Sequence, residues 1–144
     1  MSRKIAVLLT LFAAGRAMTI PFIGRAGDGG LGDPPAAWLM PLVADAAIGV
    51  SALAVAALLW WRPSPVAWII AVVWSAIGAF DAIAAFIVET SAPWPDFFML
   101  ELVGRPMFFA AALMHVAIIA LLARRDALAD CGIEADGAGG LRTA

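Results

Sequence analysis

Residues 39–88 read LMPLVADAAIGVSALAVAALLWWRPSPVAWIIAVVWSAIGAFDAIAAFIV. Two apolar runs, 39–61 and 66–88, flank the turn Arg62-Pro63-Ser64-Pro65. A helix crosses the hydrocarbon core with about 20 mostly apolar residues, so each run is long enough to span. Proline and serine between them mark a tight connection. The pair reads as a transmembrane hairpin, and the same pattern continues on either side. A first apolar window covers 5–23 and a fourth covers 97–122. The expected fold is an all-α membrane protein, an antiparallel four-transmembrane-helix bundle within 1–122. Residues 123–144 carry charge and then glycine, and are expected to form a cytoplasmic, largely disordered tail.

Composition supports this reading. Of the 144 residues, 64% are hydrophobic, against about 45–50% apolar in soluble domains. The mean hydropathy is +0.97. A chain this short cannot bury so much apolar surface within itself, so the excess must face lipid. The formal net charge of −2 and the lack of a basic stripe argue against a nucleic-acid partner. Cys131 is the sole cysteine, which excludes an internal disulfide and a cysteine metal cluster. His115 is the sole histidine, which excludes bis-histidine haem ligation within one chain. No cofactor and no metal is expected.

Lysine and arginine collect on one side of the expected bundle: Arg3, Lys4, Arg62, Arg124, Arg125 and Arg142. The other side has Arg25 among Asp28, Asp33, Glu89 and Asp96. The positive-inside rule then puts both termini in the cytoplasm and the protein in the cell (inner) membrane. Trp38 and Trp94 fall at the outer interface, and Trp60, Trp61 and Trp68 at the inner one, as in an aromatic belt. Arg3, Lys4 and Gly15-Arg16-Ala17 also resemble a cleaved signal peptide. The apolar run continues past that site through Met18 to Ile23, which favours retention. A five-residue echo relates 41–45 to 101–105 and would fit a parallel repeat.

The chemically informative residues are the ionisable ones inside the spans: Arg16, Asp45, Asp81, Glu101, Arg105 and His115. Charges in hydrocarbon are costly and mark functional sites by default. Counted inward from the outer ends, Asp45 and Glu101 lie about 6–9 Å deep, and Arg16, Asp81 and Arg105 about 10–12 Å. Five charges thus share one level in the outer half of the bilayer. Helix phase turns them inward. Glu101, Arg105, Phe108, Ala112 and His115 share a face, as do Trp74, Gly78, Asp81 and Ala85, and Asp45, Gly49, Ala52 and Ala56. Small residues on these stripes permit close helix packing.

Three acids and two arginines leave one surplus negative charge. One carboxyl should therefore hold a proton, and Asp81, the deepest, is the expected one; a bound cation or ligand amine is the alternative. His115 lies about 15 Å inward of Arg105 and is expected to stand apart from the cluster. It would serve as interhelical glue, a proton relay or a single axial ligand. Trp74 with Phe80, Phe86, Phe108 and Phe109 can line an apolar pocket or simply pack. Ser51 and Ser75 are expected to bond backbone carbonyls. The glycine-rich loop around Asp28 and Asp33 fits no calcium-loop spacing, and no hydrolase, zinc or phosphate-loop motif occurs.

The sequence therefore predicts a lipid-embedded protein whose Arg16–Asp45–Asp81–Glu101–Arg105 cluster binds a small polar or amphipathic ligand. Two alternatives stay open: a proton-coupled transporter of a small solute, and an accessory subunit in which the charges only lock helices together. A homo-oligomer or a larger membrane complex is compatible with each, and enzymatic activity ranks last.

Overall fold

The computed structural model describes residues 1–27, 36–93 and 105–133. All regular structure among them is helical. Helix α1 (Ser2–Ala13), a 3₁₀ segment (Ala14–Thr19) and α2 (Ile20–Gly27) follow one another, then come α3 (Leu39–Trp61) and α4 (Pro65–Ser91). Helix α5 (Pro106–Leu122) and a short α6 (Arg125–Asp130) complete the order. Ser2–Ala26, Leu39–Trp61 and Pro65–Ser91 are long and apolar enough to cross a membrane, which marks a membrane protein. Helix α5 is a shorter apolar helix of 17 described residues; the part of the fourth window before Arg105 lies outside the described residues.

The α3–α4 turn forms as its residues dictate. The Ser64 hydroxyl accepts the Ala67 backbone N–H at 3.2 Å, and Pro65 takes the first helical position, where its missing N–H costs nothing. At the other end α4 runs to Ser91, three residues past the expected stop at 88. Glu89 is consequently a buried helix residue and not part of a loop. Large side chains such as Leu8, Phe12, Val50, Leu53, Ile77, Phe80 and Leu113 point outward. That outward apolar surface is the lipid-facing shell that the composition demands.

Inside, two apolar clusters form. One gathers Ala6, Val7, Ile48, Ala52, Val55, Leu59, Ala71, Trp74, Ile118 and Leu122 near the end that holds Met1. The other joins Ala26, Trp38, Leu42, Ala85 and Phe108 at the opposite end. Many members are alanines, which let helix axes approach where dispersion contacts drive association. Asp45 falls between Leu42 and Ile48, Asp81 between Trp74 and Ala85, and His115 between Phe108 and Ile118. The polar layer thus separates two apolar ones on three helices.

The Met1 end is tied together by polar contacts. Arg3 Nη1–H donates to the Leu59 carbonyl at 2.6 Å, and Arg3 Nε–H to Asp130 at 3.1 Å. Asp126 accepts from the Ser2 backbone N–H at 2.8 Å and from the Met1 amino group at 2.9 Å. Helix α6, part of the expected tail, therefore docks on the start of α1, and Cys131 at its C-terminal end is 1% exposed. Residues beyond Ile133 lie outside the described residues.

Candidate functional site

The site is set up by a break in the first helix. Pro21 has no N–H to give the Ala17 carbonyl, and its ring crowds the turn before it. The chain over Ala14–Thr19 winds instead as a 3₁₀ helix, and the Thr19 hydroxyl donates to the Arg16 carbonyl at 2.8 Å. A tighter turn inside a helix re-aims its side chains. Gly49 on α3 faces this segment, and a Cβ there would collide with the backbone of Arg16 and Ala17. Glycine at position 49 is what lets the two backbones touch and sends the Arg16 side chain between α3 and α4.

Arg16 then organises the layer. Its Nε–H donates to Asp45 and its Nη2–H to Asp81, so one guanidinium forks two carboxylates from two helices. The Nη2 nitrogen also lies within ion-pair distance of Asp45. Nη1–H donates to the Gly78 carbonyl at 3.2 Å and lies 3.0 Å from His115 Nε2. Arginine has no acceptor and stays charged. His115 Nε2 must therefore accept, which puts the imidazole proton on Nδ1. The three charged side chains are 11%, 26% and 10% exposed for Arg16, Asp45 and Asp81.

His115 is fully buried and lies over Gly78, where a Cβ would strike its ring. The Trp74 indole meets the imidazole edge-on at 5.0 Å, while its Nε1–H donates to the Ser51 hydroxyl at 2.9 Å. Ser51 donates in turn to the Ala47 carbonyl at 2.6 Å, as expected. Ser75 departs from expectation: its buried Oγ has no hydrogen-bond partner among the described residues, and neither has His115 Nδ1.

Of the residues singled out in the sequence, Arg16, Asp45, Asp81, Gly78, Trp74 and His115 come together. Arg105 does not. It is exposed at the start of α5 and makes no ion pair with Asp45 or Asp81. Phe108 packs instead in the opposite-end cluster, stacked on Trp38 at 6.3 Å and edge-on to Phe86 at 6.4 Å. Ala112 is half-buried between Phe108 and His115 on α5. Glu101 lies outside the described residues, as do Trp94, Asp28, Asp33 and Asp96.

The expected isolation of His115 is overturned, and the reason is depth. Asp81 is ten residues inward of Ser91, where α4 ends, or about 15 Å by helical rise. The layer thus sits deeper than windows ending at 88 imply, level with His115 and well inward of Arg105. Trp38, expected in an interfacial belt, is buried, and its Nε1–H donates to the Ala92 carbonyl at 2.9 Å. Among the described residues no cluster of histidine, cysteine or carboxylate side chains suits a metal ion. Comparison with known proteins gives no match: no family model, no curated protein and no solved structure corresponds to this chain.

Proposed function

We propose that this chain is a four-span protein of the cell (inner) membrane whose Arg16–Asp45–Asp81 cluster binds a proton, as in a proton-coupled transporter of a small solute. The observation that carries the reading is the charge balance. One guanidinium holds two carboxylates, and no second cation stands at the cluster among the described residues. His115 is an acceptor toward Arg16 and contributes no positive charge. Two ionised aspartates would leave a net negative charge in a low-dielectric layer, and a bound proton removes it. All three guanidinium nitrogens are engaged within the protein, so an anionic ligand would find no free donor.

The topology has its own support. Met1 and Asp126 meet, and Arg3 reaches the end of α3, so Met1, α6 and the Arg62 turn share one end. An even number of crossings brings the chain back to that end. Arg3, Lys4, Arg62, Arg124 and Arg125 gather there, which favours a cytoplasmic assignment. A second reading, a purely structural lattice in an accessory subunit or homo-oligomer, is favoured by the same full engagement of Arg16.

Infrared difference spectroscopy of the purified protein across pH separates the two. A proton site gives a protonated-carboxyl band at neutral pH that disappears in Asp81→Asn or Asp45→Asn. Each variant leaves one cation against one anion, so folding is retained. A chain that shows no such band across neutral pH, so that Asp45 and Asp81 both stay ionised on Arg16, is a lattice.

A further inference from the structure

We propose that His115 and Ser75 form a second polar site, inward of the charge cluster, that holds one water molecule between α4 and α5. Arg16 donates to His115 Nε2, so the ring must carry its proton on Nδ1. That N–H and the Ser75 hydroxyl are both enclosed, each residue 0% exposed, and neither has a partner among the described residues. A buried donor left unpaired costs more than a hydrogen bond returns, and paired orphans of this kind are what internal waters satisfy.

Placement joins the two. The His115 ring lies over Gly78, and Ser75 is three residues earlier on the same buried face of α4, about 4.5 Å toward the Met1 end. The Trp74 indole closes one side of the ring. A water accepting from Nδ1–H can donate to Ser75 Oγ or accept the Ser75 hydroxyl proton, and either way both orphaned groups gain a partner. The charged group in contact with His115 is Arg16 of the 3₁₀ segment, whose other nitrogens hold Asp81 of α4 and Asp45 of α3. The polar chain then runs from Asp45 and Asp81 through Arg16 and His115 to Ser75. Arg16 stays charged, so this chain fixes the imidazole tautomer and does not depend on the function proposed above.

His115 is the only histidine, so histidine-selective nitrogen-15 labelling gives a one-residue spectrum. The expected result is a neutral imidazole with Nδ1 protonated and Nε2 bare, and an Nδ1–H signal showing a cross-peak to a slowly exchanging water. Ser75→Ala should move that signal and speed its exchange by several-fold. Ser75→Thr, which keeps a hydroxyl, should preserve it and serves if the alanine variant fails to fold. An Nε2–H tautomer, an imidazolium, or an Nδ1–H with no water contact and no response to Ser75→Ala overturns the proposal. The carboxyl band is read separately, so the second site and the proton site can fail independently.

Discussion

Arg16 is the residue on which the polar layer depends, because among the described residues it is the one cation paired with Asp45 and Asp81. Removing one partner of a buried ionic set strands the others. Arg16→Gln should therefore cost about 3–5 kcal/mol, read as a lowered denaturant midpoint in detergent. Arg16→Lys should not restore it, since a point ammonium cannot fork two carboxylates and reach the Gly78 carbonyl as well. The two glycines at the site predict an order. A Cβ at position 78 meets the movable His115 ring, whereas one at position 49 meets backbone. Gly78→Ala should cost about 1–3 kcal/mol, the range of overpacking. Gly49→Ala should cost more, because the first helix itself must shift. Comparative thermal unfolding of the two variants checks the order.

At the scale of elements, α3, α4 and α5 are joined to one another by tryptophan N–H groups. Trp38 bonds the Ala92 carbonyl just past α4, Trp68 bonds the Leu122 carbonyl at the end of α5, and Trp74 bonds Ser51 on α3. Indoles supply apolar bulk and one directed donor, which suits helix ends whose last carbonyls lack partners. Trp38→Phe should keep the stacking on Phe108 and lose the hydrogen bond, at about 1 kcal/mol. Faster amide exchange confined to the last turn of α4 is the measurement. The elements themselves were largely legible: 39–61 coincides with α3, and 66–88 falls within α4. The break in the first helix was not read, although Pro21 and Gly15 signal it, because total hydropathy does not distinguish an α turn from a 3₁₀ turn.

For the whole molecule, closure at the Met1 end is the part that pH and chemistry can probe. The Ser2 backbone N–H, followed by the Met1 ammonium, holds the Asp126 carboxyl well below the usual carboxylate range. A depressed folded value means the contact stabilises fully above the ordinary value of 3.8 and is lost only as pH falls through the folded one. Burial pushes the Cys131 thiol up, and its place at the end of α6 makes its burial a reporter of docking. Alkylation of Cys131, normalised to the unfolded chain, should stay slow and flat between about pH 5 and 6.5. Asp126→Asn should speed it several-fold throughout that range. An unchanged rate in the variant would show that the apolar contacts of Ala127 and Cys131 hold α6 without the acid.

Hydropathy and helical period, which are local properties, were enough to establish the helical class, the membrane setting and the inward faces carrying Asp45, Asp81 and His115. Which charges meet depends on where each helix starts, how deep it sits and how closely its neighbours approach. Those quantities arise only when α1, α3, α4 and α5 pack together. The tertiary structure therefore decided that Arg16 serves both aspartates, that Arg105 stays outside, and that His115 joins the layer. The physical reason is that a shift of one helical turn, about 5.4 Å, is invisible to periodicity yet exceeds the reach of a hydrogen bond.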